Sequence, residues 1–488
     1  MARPSPPVAA GGVPVRIGRR GYAPDRIRTE HRGEQDGNPL HRHFLAPSEA
    51  LVSRIRSTLR VGIAIIAALG DVTPGRLQAQ SRAADAAGEW TFRMTGDATP
   101  QRVRLTADAD SIRGSVYGQK FAGTLSGRRL TFAVGEFRWR ATLTGDSLAG
   151  WLGVGTDSSR WSGYRLRAPA APRAFTFVPT QWHRELGITT TPVLRIHAGD
   201  TVRTTTVDAG GWGIGELGDR TNKRTRGGNP LTGPFYVEGA LPGDVLAVKL
   251  LRVRLNRGWA TSGTSLMDNA IQPSYATERK PGNDDNKWML DTLRGVARLA
   301  KPSPQLRDLT IPLTPFLGVV AVAPGDGVVP SSRDSGPWGG NMEYAQLREG
   351  TTLYLPVTEE GAWLYLGDGH AAQGDGELTG DALETSMDVA FTVDVRRSRF
   401  ESVPRAESAT DIMSIGIAGS LDEALRRATS DMARWLEKEY RLTSTEAAMV
   451  MGFALAYEIP DIVPPWVSVA ARVRKSALQQ LHLPAARP

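Results

Sequence analysis

Arg129–Val134 reads RLTFAV and Phe137–Leu143 reads FRWRATL, with only Gly135 and Glu136 between them. Apolar and polar residues alternate in both runs. A period of two puts successive side chains on opposite faces, so each run predicts a half-buried β-strand. Working outward, Trp90–Met94 (WTFRM) and Arg102–Leu105 (RVRL) carry the same pattern. Gly and Asp turn signals recur about every 8–12 residues, the rhythm of an up-and-down sheet or small barrel. Residues 85–170 are therefore expected to form a small β-meander/barrel domain. It contains no ionisable cluster, so an accessory packing role is expected, with a ligand held inside the barrel as the alternative.

Residues 168–173 (APAAPR) read as a linker. Beyond it, strands and loops continue to about Phe400, with β-rich segments at Val193–Ile196, Val245–Val253, Leu317–Val322 and Val389–Val395. Two helices close the chain. Ser420–Glu423 (SLDE) reads as a capping box opening a helix to Tyr440, with Leu421, Leu425, Met432 and Leu436 on one face. Thr443–Glu446 (TSTE) opens a second, expected to run to about Tyr457 and to be ended by Pro460, Pro464 and Pro465. The fold class is mainly β with α+β elements: a β-sandwich-like main domain over 174–478, with C-terminal helices, behind the small β domain.

The 488-residue chain is too long for one ordinary domain. Its net charge of +8 suggests nucleic acid, but residues 1–80 carry 12 Arg and no Lys against 6 acids, leaving only +2 for the rest. No basic stripe with interleaved aromatics follows, so no nucleic-acid partner is expected. The absence of Cys excludes thiol catalysis, thiolate metal sites and disulfides. Residues 1–50 show no periodicity and read as disordered, or as sequence upstream of the true start. Residues 51–80 read as a signal peptide: Arg54, Arg56 and Arg60, then VGIAIIAAL at Val61–Leu69, then LQAQ before Ser81. The apolar run is shorter than the about 20 residues that span a bilayer. A secreted or periplasmic protein starting near Ser81, with no membrane contact after cleavage, is expected. A short buried helix is the competing reading of that run.

The chemistry concentrates in Gly367–Glu377, GDGHAAQGDGE. Asp368, His370, Asp375 and Glu377 crowd into it among four glycines, which let the backbone turn sharply. Carboxylates and an imidazole this close repel one another unless a cation lies between them, and they are suitable ligands for Zn. A solvated acidic turn between strands is the other reading, and spacing alone leaves both open. Of the remaining His, His183 suits either a substrate site or the core, His197 reads as structural, and His482 lies in the tail. Trp338 and Trp363 suit either a pocket wall or the core. Gly213–Glu216 (GIGE) lacks the strand and helix that a nucleotide loop needs.

Two further segments matter: Gly339–Glu343 (GGNME), and Asp208 at the end of Thr201–Asp208 (TVRTTTVD). GGNM plus an acid, then GTTLYLPV at Gly350–Val357, then GDGHAAQGDGE with Ala382-Leu383-Glu384 resemble the acetamidase/formamidase family. So do Asn229–Val248 (NPLTGPFYVEGALPGDVLAV), Ile196–Asp208 and the helix from Leu421 to Leu442. The resemblance runs in order over roughly 175–475. It implies a metal-dependent amidase releasing ammonia from short linear amides such as formamide and acetamide. It implies a divalent metal, Zn first and Ca as the alternative, and a homodimer or larger homo-oligomer. It places Asp208, Glu343, Asp368 and His370 at the metal, Glu377, Asp375 and His183 among the catalytic groups, and Asn341, Trp338 and Gln373 at the substrate. Glu384 falls on a further family acid. Glu343 departs from the family, which usually has Asp there. The longer side chain moves the carboxylate by about one C–C bond.

No G-x-S-x-G elbow or Ser-rich amidase loop offers a rival nucleophile. A reading of another class remains, a secreted carbohydrate- or ligand-binding module with a structural metal. His370 discriminates the two, because a Ca site prefers oxygen ligands throughout.

Overall fold

The computed structural model describes residues 83–96, 99–167, 171–280, 286–397 and 403–482. The upstream segment 1–50, the signal peptide 51–80 and the start near Ser81 lie outside the described residues, as does the first half of the linker.

Eight antiparallel strands close into a barrel: β1 (Gly88–Met94), β2 (Gln101–Asp108), β3 (Ser111–Val116), β4 (Gln119–Ser126), β5 (Arg129–Val134), β6 (Phe137–Thr144), β7 (Ser147–Val154) and β8 (Asp157–Arg165). Each pairs with the next, and β8 returns to β1 with Trp90 opposite Arg165. The alternation is the cause. In β6, Trp139, Ala141 and Leu143 point in while Arg138, Arg140 and Thr142 point out. The interior is filled, not hollow. Phe121, Phe132, Trp139, Trp161 and Phe92 stack on one another with centroids 4.1–6.2 Å apart, and all are buried. Such filling favours packing over ligand storage.

The main domain is a pair of facing sheets. One has eleven strands and contains Thr232–Val237, Phe316–Ala321 and Leu364–His370. The other has nine and contains Val245–Leu255, Thr352–Pro356, Met387–Arg396 and Asp411–Ala418. Phe235, Leu317, Leu364 and Leu366 of the first meet Leu246, Leu355, Phe391 and Ile415 of the second in the main core. The expected β-sandwich-like domain behind a small barrel is the observed architecture. The strands through the site, Phe316–Ala321 and Leu364–His370, are buried at every residue. That is why they read as continuous apolar or Gly-rich runs and not as alternating ones.

Barrel and sandwich belong to one compact unit. Arg102 pairs with Asp244 at 2.6 Å, Arg397 with Glu89 at 2.6 Å, and Arg93 and Tyr164 both bond Glu360.

The C-terminal helices correct two expectations. The helix Leu421–Glu439 is capped by Ser420, whose side chain accepts from the Glu423 N–H, but its buried face is Ala424, Ala428, Met432, Trp435 and Leu436. Leu421 and Leu425 are exposed, because buried Asp431, ion-paired to Arg405 at 2.7 Å, sets which side faces the sheet. The second helix, Ser444–Ala454, has the full Thr443/Glu446 capping box yet ends before Tyr457. Leu455–Asp461 instead pairs antiparallel with Val467–Arg474. Backbone pairing on the sheet edge outcompetes continuation of the helix, and Pro460 is tolerated there because an edge strand needs fewer donors.

Candidate functional site

Asp368 and His370 stand two residues apart on the strand Leu364–His370, so their side chains leave the same face. The neighbouring strand pairs Leu317 with Gly369 and Val319 with Gly367, which sets Gly318 across from Asp368. Gly318 makes the site. A Cβ there would lie 2.5 Å from Glu343 Oε2 and 2.9 Å from Asp368 Oδ2. Glu343 enters from the end of GGNME, and its N–H bonds the Gly318 carbonyl at 3.2 Å. Glu384 enters from a two-residue strand paired to His370. Glu377 comes from the single helical turn Asp375–Glu377. Glu343, Asp368 and Glu377 all have left-handed backbones, with φ of 52°, 58° and 47°. For residues with a side chain this costs about 1–2 kcal/mol each and is held only where surrounding structure dictates it.

His370 is the hub, with no exposed surface. Its Nε2 lies 3.0 Å from Glu384 Oε1 and 3.5 Å from Asp368 Oδ1, and its Nδ1 lies 3.3 Å from Glu343 Oε2. Gln373 fixes the tautomer. Its amide Nε2 donates to the carbonyls of Glu343 (2.9 Å) and Pro460 (3.0 Å), so its Oε1 must accept, and it accepts from His370 Nδ1 at 2.9 Å. Nε2 is then left facing carboxylates. Glu343 Oε2, Asp368 Oδ1, His370 Nε2 and Glu384 Oε2 are all buried without a hydrogen-bond partner.

The electrostatics follow from burial. Glu343 and Glu377 are pushed well above the usual carboxylate range by desolvation and by neighbouring acids. Glu384 is raised to about 7 by burial, against the pull of His370. Burial would lower His370, but the carboxylates of Glu384, Glu343 and Asp368 outweigh it and raise it well above its ordinary value. Desolvation would also raise Asp368, but His370 beside it holds it low. The cluster thus holds more acids than its own imidazole can keep ionised, so they retain protons unless another cation is supplied. Glu343, Asp368 and His370 can bring one ligand atom each within 4.8 Å of one another, and so can His370, Glu377 and Glu384. Orphaned oxygens and an imidazole nitrogen converging in this way suit a divalent cation.

The structure separates the other expected residues. Asp208 is not with the cluster. Its carboxylate accepts from Arg257 at 2.5 Å and from the Trp212 N–H at 2.8 Å. An acid already neutralised by a buried guanidinium is a poor ligand, and this corrects its placing at the metal. His183 bridges Leu231 through its backbone and sets its ring edge-on to Tyr365. It belongs to neither the cluster nor the cavity described below. Asp375 is exposed on the rim of that cavity. Trp338 packs against the core, beside Leu186 and Tyr365, and Trp363 against Tyr236. Gln373 commits both amide N–H groups to backbone carbonyls and its Oε1 to His370, so it holds His370, and it also stands in the wall of that cavity. Asn341 accepts from Asn229 Nδ2 at 2.8 Å, and the same nitrogen donates to Asp368 Oδ2 at 3.0 Å.

Three contributors escaped the sequence reading. Asn229 lies in the quoted NPLTGPFY segment, and its signal was the Asn before Pro. Arg257 links Asp208 to the Glu384 carbonyl (3.0 Å) and the Thr385 hydroxyl (3.1 Å), which fixes the strand that carries Glu384. Asp461, at the end of Leu455–Asp461, is raised to about 7 by burial and lies within the field of His370 and Asp368. Nothing in its local sequence marked it.

A family model described as the Acetamidase/Formamidase family matches residues 176–336 and 333–417. The chain is 24% identical over 251 residues to a formamidase of Methylophilus methylotrophus, spanning 41% of this chain and 60% of that protein. It is 26% identical over 195 residues to a putative formamidase of Schizosaccharomyces pombe, spanning 30% and 47%. It thus spans about half the length of these relatives. The fold is similar to crystal structures of acetamidases from Bacillus halodurans and Yersinia enterocolitica. Both superpose with a TM-score of 0.54, at 29% and 28% identity. The superpositions cover 63% of this chain in each case, and 100% and 94% of those structures.

Proposed function

The chain belongs to the acetamidase/formamidase family, and on that premise we propose that it hydrolyses linear amides to a carboxylate and ammonia, formamide and acetamide among them, with Glu343, Asp368 and His370 holding a divalent cation and Glu384 completing the set. The observation that carries this reading is the four buried, unpartnered atoms on Glu343, Asp368, His370 and Glu384. When bound, such a cation supplies Lewis acidity toward the amide carbonyl and lowers the pKa of water. Zn suits the imidazole among carboxylates better than Ca does.

The chain's own residues do the rest. Gln373 holds His370 with its proton on Nδ1. Asn229 holds Asp368 against Asn341. Glu377 both belongs to the cluster and lines the adjoining cavity, so its carboxyl takes the proton of the attacking water and returns it to the leaving nitrogen. Desolvation raises Glu377, which moves its proton affinity toward that of a base working near neutral pH. Ammonia release from acetamide, with and without chelator, is the test. Glu377→Gln keeps the bound metal and loses roughly 10²–10⁴-fold in turnover. Full activity in the metal-free protein or in Glu377→Gln overturns the reading.

A further inference from the structure

A cavity of about 600 Å³ opens beside the cluster, and Glu377 and Gln373 are the cluster residues in its wall. Acetamide has roughly the volume of three waters at about 30 Å³ each, so it would leave most of this space unfilled. Cavities of about 300–1,000 Å³ are the size that receives much larger ligands.

The wall chemistry is apolar on one side. Trp288, Ile311, Ala372, Leu378 and Leu383 line it, and Ala372 and Leu383 belong to a small satellite core on which Trp288 and Ile311 pack. Trp288 is held in place by its indole N–H, which donates to Ser262 Oγ at 3.0 Å. Among the described residues no Lys or Arg lines the cavity, whereas Asp375 and Asp381 do. An anionic substituent would therefore meet like charge, and a neutral apolar one would meet matching surface.

Resting on the amidase reading, we propose that the substrate is the primary amide of an acid with a bulky apolar acyl group, of the size of hexanoyl or phenylacetyl. The reacting carbonyl lies toward Glu377 and the apolar group against Trp288, Ile311 and Leu383. Water adds to the carbonyl carbon, the C–N bond breaks, and the carboxylate and ammonia leave, with no further reactant.

Each methylene buried on such a wall contributes about 0.8 kcal/mol, or about four-fold in kcat/KM. Four added methylenes predict roughly a 10²-fold preference for hexanamide over acetamide. The experiment is ammonia release from formamide, acetamide, butanamide, hexanamide and phenylacetamide by the full metal-loaded chain. Competitive inhibition by hexanoate and by acetate serves as a binding readout. Ile311→Trp, which fills the cavity from an edge strand, lowers the phenylacetamide-to-acetamide ratio of kcat/KM at least ten-fold. A rising series with hexanoate the stronger inhibitor supports the proposal. Turnover that is flat or falls with chain length overturns it and leaves the amidase reading standing. No ammonia from any amide overturns the amidase reading itself. If Ile311→Trp does not fold, the inhibition pair alone decides.

Discussion

The barrel and the centre of the sandwich are made from the same materials, short strands and glycine turns, yet they bury opposite things. Inside the barrel, Phe92, Phe121, Phe132, Trp139 and Trp161 fill the space with ring against ring. Between the strands Phe316–Ala321 and Leu364–His370, the chain buries Glu343, Asp368, His370 and Glu384, with Glu377 close by. Burying aromatic surface stabilises, whereas burying unpaired carboxylates costs several kcal/mol unless a cation or proton is supplied. The first interior serves stability. The second is maintained against stability, which is the usual mark of a working site.

Four measurements would break or sharpen this contrast. The largest effect belongs to His370→Ala. It removes the hub of the cluster and is expected to lose most bound metal and roughly 10³–10⁴-fold of turnover, and to lower the thermal midpoint of the metal-free protein, whose buried acids lose their imidazole partner. Metal analysis and ammonia release check it, and unchanged turnover erases the distinction between the two interiors.

Phe132→Ala in the barrel is the mirror experiment. It should cost about 3–5 kcal/mol in urea unfolding, while turnover per folded molecule stays within about two-fold.

The third measurement is the pH dependence of stability in chelator. Glu384, raised from 4.5, and Asp461, raised from 3.8, both lie near 7 in the folded chain. A carboxyl raised on folding binds more protons in the native state. Its contribution is therefore fully present below the unfolded value and is lost as pH rises through the folded one. The metal-free protein should lose stability between pH 5 and pH 8, by about 3 kcal/mol for Glu384 alone. Adding Zn should flatten or reverse the slope. A rise in stability over that window without metal would mean that these acids are paired by something else.

The smallest effect is that of Gln373→Ala. Freed at Nδ1, His370 should lose orientation, and metal affinity should fall about 10–100-fold with the fold retained. Gln373→Glu keeps an acceptor at Nδ1 but sets a second carboxylate oxygen against the Glu343 and Pro460 carbonyls, so it should not recover the loss.

What could be read in advance tracks how local the physics is. The barrel was legible because alternation is a property of neighbouring residues. So were Ser420 and Thr443 as helix caps, and Asp368, His370 and Glu377 as chemistry, because they share eleven residues of sequence. Legibility failed where a partner arrives from far along the chain. Asp208 looks like a ligand until Arg257, 49 residues away, takes its carboxylate. Asp461 joins only because Leu455–Asp461 folds back as a sheet edge, and that strand is also what truncated the expected helix. Leu421 and Leu425 fit the helical period, but the offset set by Asp431 and Arg405 turned them to solvent.

The glycine across from Asp368 carries one last consequence. A scan replacing every residue in turn would find most barrel positions graded, with similar side chains partly interchangeable. At Gly318 one methyl would sit 2.5 Å from Glu343 Oε2 and 2.9 Å from Asp368 Oδ2, so an alanine there would have to displace the two carboxylates and would cost function before it cost the strand. Its neighbours on that strand, Leu317 and Val319, are ordinary core and would still accept other aliphatic residues. The site would thus leave an imprint on mutational tolerance at a residue that has no chemistry of its own.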